Sequence, residues 1–171
     1  MMAEDDVMAS SHWFNYDHQL DNHQEPYRRP LCHWLNYYTM IAKSNEIISL
    51  YPDGGETVDA KGLIGQAQAI RGLAYLHLIQ LYQFASNADG SVNASAPGVP
   101  LVLTTADGKT EEELATLLGR NTVGEVMAQI ELDLTNAVTN LAAGYGSPSK
   151  NYIDASVAKS IFARYYLLAS K

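Results

Sequence analysis

The chain has 171 residues, 47% of them hydrophobic and 18% charged, a balance that describes one globular unit with enough apolar material for a core. Eleven Lys and Arg against nineteen Asp and Glu leave a net charge of -8, which repels phosphate backbones and argues against nucleic acid as a partner. The single cysteine, Cys32, excludes a disulfide framework and a cysteine-rich zinc site, and the apolar runs are too short and broken to span a bilayer.

Residues 1–33 read as an irregular segment. Asp5, Asp6, Asp17, Asp21 and Glu25 alternate with Trp13, Phe14 and Tyr16, and Pro26 and Pro30 interrupt regular structure. Met1 to Asp6 is acidic where an export leader is basic and then apolar. From Trp34 onward, Trp34, Tyr38, Ile41, Asn45 and Ile48 recur at helical spacing, which predicts a helix stopping before Pro52-Asp53-Gly54-Gly55. Asp59 is placed to cap the next helix, whose stripe is Leu63, Ala67, Ile70, Ala74, Leu78 and Leu81, through about Phe84. Gly62, Gly65 and Gly72 inside it point to close helix packing rather than a break. Together these helices form a first pair over 34–84.

Residues 85–121 read as a surface connection rich in Gly, Pro and small polar residues, with 98–103 extended at most. Within it Thr110 and Glu113 can form a capping box for a short helix through Leu118. A second pair covers 122–171. Thr122 and Glu125 are its capping box, and Val126, Met127, Ile130, Leu134, Val138 and Leu141 are the inner face. After Gly144, Gly146 and Pro148, a last helix capped by Asp154 carries Val157, Ala158, Ile161, Phe162, Tyr165 and Leu168. One constant offset lays Trp34, Tyr38, Ile41 and Asn45 on Val123, Met127, Ile130 and Leu134, and also Ala69, Leu73, Ala74 and Leu78 on Ala158, Phe162, Ala163 and Leu167. The expected fold is all-α, with stacked helix hairpins of tetratricopeptide-like type and long aromatic-rich loops.

Five blocks occur in one order: Trp34-x3-Tyr38-x2-Ile41-x3-Asn45-Glu46-Ile47-Ile48, then Gly65 to Leu78, Gly98-Val99-Pro100-Leu101, Arg120 to Ala137, and Ala158-x4-Ala163-Arg164-x2-Leu167. In that order they resemble the SusD/RagB family over roughly residues 34 to 171. The resemblance implies a non-catalytic outer-membrane lipoprotein that binds oligosaccharide or polysaccharide at the cell surface, with a SusC-like TonB-dependent porin as partner and no cofactor. It also implies that the chain matches the N-terminal, tetratricopeptide-like part of a longer protein. Family members carry an acylated cysteine after a leader, and Cys32, at the head of a predicted helix with no apolar run before it, does not suit that role. The membrane anchor is thus expected to be absent from this chain.

Sugar recognition needs aromatic faces for the C–H surfaces of a pyranose, flanked by groups that hydrogen-bond to hydroxyls. Trp13, Phe14, Asn15, Tyr16 and Asp17, ahead of the first helix, have that chemistry and are the candidate ligand-binding residues. For Trp13 and Phe14 the plainer reading is that they anchor the segment onto the helices, and Trp34 and Tyr38 read as core. Arg71 and Arg164 each sit inside an apolar helix, where a guanidinium requires a carboxylate; Asp133 or Glu46 can supply it, giving structural ion pairs. His12, His18, His23 and His33 lack metal-ligand spacing, so no metal is expected, and His77 reads as a packed histidine. No nucleophile elbow, phosphate loop or dinucleotide fingerprint occurs. Besides glycan binding, the pattern admits a helical-repeat module that docks on a transporter without touching sugar.

Overall fold

Two capping boxes and a seam of small residues organise the helices. The structure is a computed structural model and describes residues 28–83, 86–105 and 108–169. Among the described residues there are five α-helices and no strand: α1 Arg28–Ser49, α2 Val58–Leu78, α3 Glu111–Leu117, α4 Val123–Ala142 and α5 Ala155–Ala169. A π-helical turn, Ile79–Gln83, extends α2. The chain divides into two compact units, 1–36 and 37–171. The described part of the first, residues 28–36, is the opening of α1, with Trp34 half-buried. The core described below belongs to the second.

Helix α1 begins six residues before the expected Trp34, at Arg28, and takes Pro30 into its first turn. A proline there removes an N–H that has no intrahelical partner in any case, so it opens the helix instead of interrupting it. The cap of α2 is also displaced from expectation. Thr57, not Asp59, is the N-cap and its hydroxyl accepts from Ala60 N, while Asp59 sits in the first turn, where a carboxylate suits the positive end of the helix dipole. The boxes Thr110/Glu113 and Thr122/Glu125 both form with reciprocal bonds, and Asp154 Oδ1 accepts from Val157 N at 2.8 Å to open α5.

Burial on α2 extends beyond its expected stripe. Ala67, Ala74 and Leu78 of that stripe are buried and Ile70 is half-buried, while Leu63 and, in the π-helical turn, Leu81 are exposed; Gly62, Gly65, Ala69, Gly72 and Leu76, at alternating three- and four-residue spacing, form a further buried seam. This seam meets α4. A Cβ at Gly65 would lie 2.8 Å from Leu141 Cγ and 3.2 Å from the Ala137 carbonyl, and one at Gly72 would lie 3.1 Å from Leu134 Cγ. Rising numbers on α2 meet falling numbers on α4, so the two helices run antiparallel, with leucines of α4 resting on the backbone of α2. Glycine costs about 1 kcal/mol of helix propensity per position. Here that cost is offset by an approach that no side chain would permit.

Helix α4 uses its expected face, with Val126, Met127, Ile130, Leu134 and Leu141 buried, and α5 packs on it through Ala158, Ile161 and Tyr165. Tyr165 donates to Glu131 Oε2 at 2.7 Å. Positions sharing the repeat offset agree at Ile41 and Ile130, and at Ala69 and Ala158, all buried. They part at the outer end: Leu78 is fully buried, while Leu167 is 83% exposed. Helix α2 has α4 along its length, and α5 carries no comparable second neighbour among the described residues.

Replacing Gly65 with Ala is expected to destabilise the chain by about 1–3 kcal/mol, overpacking outweighing the propensity gain. Gly146→Ala, where nothing lies within 4 Å, is expected to be near neutral. Urea denaturation of the two variants distinguishes a packing seam from incidental glycines.

Candidate functional site

Extended backbone between α2 and α3 finds its hydrogen-bond partners in helix side chains. Pro97 and Pro100 have no N–H to satisfy, and their fixed φ keeps the run from coiling. Gly98 N donates to Asn121 O at 2.6 Å, and a Cβ on Gly98 would meet that same oxygen at 2.9 Å, so the close approach requires glycine. Val99 and Pro100 are buried. Tyr38 of α1 donates to Pro100 O at 2.8 Å, and Asn45 Nδ2 donates to Val102 O at 2.8 Å. The Tyr75 hydroxyl accepts from Val102 N at 2.8 Å and donates to Val102 O at 3.1 Å. From the far side Asn121 Oδ1 accepts from Leu101 N at 2.9 Å, and Arg120 Nε donates to Gly98 O at 3.1 Å. Burial pushes the Tyr38 and Tyr75 phenols up, so both keep the proton they donate.

Behind this strap lies a buried ion pair. Arg71 of α2 grips Asp133 of α4 with two parallel bonds, Nε to Oδ2 at 2.9 Å and Nη2 to Oδ1 at 2.6 Å. Arg71 Nη1 donates to Asn45 Oδ1 at 2.8 Å, and Gln129 Nε2 donates to Asp133 Oδ1 at 2.9 Å. Asn45 therefore links the pair to the strap. Desolvation raises the Asp133 carboxyl above its ordinary range, against the pull of Arg71 and then of Gln129. Among the described residues no buried side-chain polar atom is left without a partner.

The four residues expected to form ion pairs are thus divided. Arg71 and Asp133 meet. Arg164 is exposed and makes no ion pair among the described residues, and Glu46 is exposed and pairs with Lys43 at 2.9 Å. Each lies one position from an inward residue, Tyr165 and Asn45 respectively, about 100° round the helix and hence on the solvent side. The candidate ligand residues Trp13, Phe14, Asn15, Tyr16 and Asp17 lie outside the described residues, as do His12, His18 and His23. Among the described residues no group of three His, Cys, Asp or Glu is arranged to hold a metal, and no helix is long and apolar enough to cross a membrane. His77 is half-buried and stacks on Tyr37 at 5.3 Å between ring centroids. Burial, and then the positive charge of Arg164, lowers its pKa. Sequence reading missed the strap's receptors. The available signal was Asn45, a carboxamide in the middle of an apolar stripe.

The helical fold is that of the SusD-like class. Residues 2–167 match the profile of a SusD-like family described as starch-binding and associating with the outer membrane, and the chain belongs to that family. Among solved structures it is similar to a SusD-like carbohydrate-binding protein from Bacteroides vulgatus, with 28% identity over 81% of this chain and a TM-score of 0.65. A SusD superfamily protein from Bacteroides thetaiotaomicron shares the fold at 24% identity over 80% of this chain, TM-score 0.64. A laminarin-binding SusD-like protein shares it at 20% identity over 79%, TM-score 0.58. The chain spans only 28%, 28% and 26% of those three chains. No curated protein matches it.

Arg71→Ala leaves Asp133 buried without its counter-ion and is expected to cost about 3–5 kcal/mol in urea denaturation, whereas Arg71→Met combined with Asp133→Leu costs less than Arg71→Ala alone. A second expectation concerns pH. Because the His77 pKa lies below its ordinary 6.5 in the folded chain, the unfolded chain binds more protons, and stability present above 6.5 is lost as pH falls through the folded-state value. The difference between wild type and His77→Phe, followed from about pH 7 to about pH 5, should carry that slope.

Proposed function

We propose that this chain contributes non-catalytic glycan binding to a cell-surface nutrient-uptake system. Its partner is a SusC-like TonB-dependent porin of the outer membrane, and the full protein is held at the surface by a lipid anchor. The observation that carries the reading is the family match over residues 2–167, a family described as starch-binding and associating with the outer membrane. The similar protein from Bacteroides vulgatus, described as carbohydrate-binding, supports it. Trp13, Phe14, Asn15, Tyr16 and Asp17 supply stacking faces and hydroxyl partners in this reading, on a segment that precedes α1. Binding groups carried by connections on a rigid helical frame are the usual division of labour.

A second reading is a protein-docking module that makes no sugar contact, and the exposed Leu167 and Tyr166 of α5 favour it. Repeat proteins of that kind use an extended concave surface. Here Tyr38, Asn45 and Tyr75 are already engaged by the chain's own 100–104 backbone, which weighs against an extended partner at those groups.

Affinity electrophoresis of the full protein through gels containing starch or laminarin separates the readings. Trp13→Ala with Tyr16→Ala is expected to abolish retardation while leaving the helical circular-dichroism signal intact. Unchanged retardation removes the role of these residues; absence of wild-type retardation across a wide glycan panel overturns the glycan reading and leaves docking.

A further inference from the structure

The connection between α4 and α5 makes a depression of about 410 Å³, open to solvent and lined by Ser147, Ser149, Lys150, Tyr152, Asp154 and Val157. That volume falls within the range of small-ligand sites. We infer that this depression is a second sugar-contact site, taking a neutral pyranose of a bound glycan with Tyr152 as its stacking face. The inference rests on the glycan-binding reading above and adds to it a location on the opposite side of the sequence from the aromatic segment before α1.

Apolar and polar groups are divided in the way a sugar requires. Tyr152 is 48% exposed and Val157 is 42% exposed, so a ring and a branched methyl group face solvent within one concavity. A pyranose offers such a surface its C–H face. Around them are open hydrogen-bonding positions of both kinds. Lys150 makes no ion pair or hydrogen bond among the described residues, leaving three donors. Asp154 spends Oδ1 on the Val157 N–H and keeps Oδ2 as an acceptor. Ser147 donates to Ser149 O at 2.7 Å and retains its acceptor capacity, while Ser149 Oγ accepts from Asn151 N at 3.3 Å and retains its proton.

Electrostatics narrows the ligand class. A single ammonium and a single carboxylate border the depression, so an anion meets Asp154 and a cation meets Lys150, whereas a neutral polyol uses both. The chain's net charge of -8 further disfavours anionic ligands. Internal bonds already hold the rim: Tyr152 N donates to Ser149 O at 3.2 Å, and the Asp154 cap is part of α5 itself. Little ordering is therefore required when a sugar docks.

The test is amide-shift mapping of the isotopically labelled 171-residue chain with maltoheptaose and with laminarihexaose, for wild type, Tyr152→Ala and Lys150→Ala. At least one probe is expected to shift the amides of 147–157 in a saturable way, with affinity about tenfold weaker in Tyr152→Ala and helix content unchanged in both variants. Silence at 147–157 with both probes overturns the site. If residues 13–17 respond in that case, the glycan-binding reading stands without it; if they too are silent, the site falls and the glycan reading is decided by the gel experiment on the full protein. Shifts at 147–157 that persist undiminished in Tyr152→Ala also overturn it. Shifts there with residues 13–17 silent support the site and move the binding function away from the N-terminal segment.

Discussion

The bidentate contact between Arg71 and Asp133 is the interaction on which the rest of the arrangement depends. It joins α2 to α4 at the centre of their interface, and its remaining polar capacity is passed outward through Asn45 to the strap and through Gln129 along α4. Two charges removed from water are costly, and a pair of this kind contributes less net stability than specificity of register. Its geometry is satisfied in only one relative setting of α1, α2 and α4. A slip of one residue on any of the three leaves a buried charge or amide without a partner, at a cost comparable to much of a small domain's stability.

Close approach of α2 and α4 makes that contact possible. With Gly65 and Gly72 on the seam, leucines of α4 rest against α2 backbone, and Gly62 admits the Tyr145 ring from the turn after α4, so the interface has small residues on one side and large ones on the other. The same closeness buries Asp133 deeply enough to raise its carboxyl pKa in spite of Arg71. Packing and electrostatics are thus coupled: widening the seam would relieve the desolvation and also loosen the bidentate geometry.

The strap closes one face of α1 and α2 with the chain's own backbone. Its prolines and glycine make it extended and poor in donors, and the tyrosine and asparagine side chains of the helices satisfy its carbonyls. These bonds tie helices and strap into one frame, and the groups of 147–157 proposed to meet sugar belong to the connection between α4 and α5. Such a frame limits the entropy lost when a ligand docks on the connections.

Local chemistry was legible in the amino-acid order. Thr110 with Glu113 and Thr122 with Glu125 announce helix starts because a capping box involves only four neighbouring residues, and the apolar period of α4 matches its buried face because one side of that helix is covered. Pro30 and Asp59 are each compatible with more than one place in a first turn, so the start of α1 at Arg28 and the Thr57 cap differ by a few residues from what the spacing predicts. The five ordered blocks were enough to reach the family. How far the buried surface of α2 extends beyond its apolar stripe, which arginine is buried, and where Asn45 reaches were decided only by the tertiary structure. Arg71 and Arg164 look alike along the chain, each a cation among apolar neighbours, and they differ because α4 brings a carboxylate to one and leaves the other in water. Sequence by itself determined the helices and their ends, through contacts a few residues long. The fold decided the ion pair and the strap, whose partners lie 20 to 62 residues apart along the chain and meet only when the helices pack.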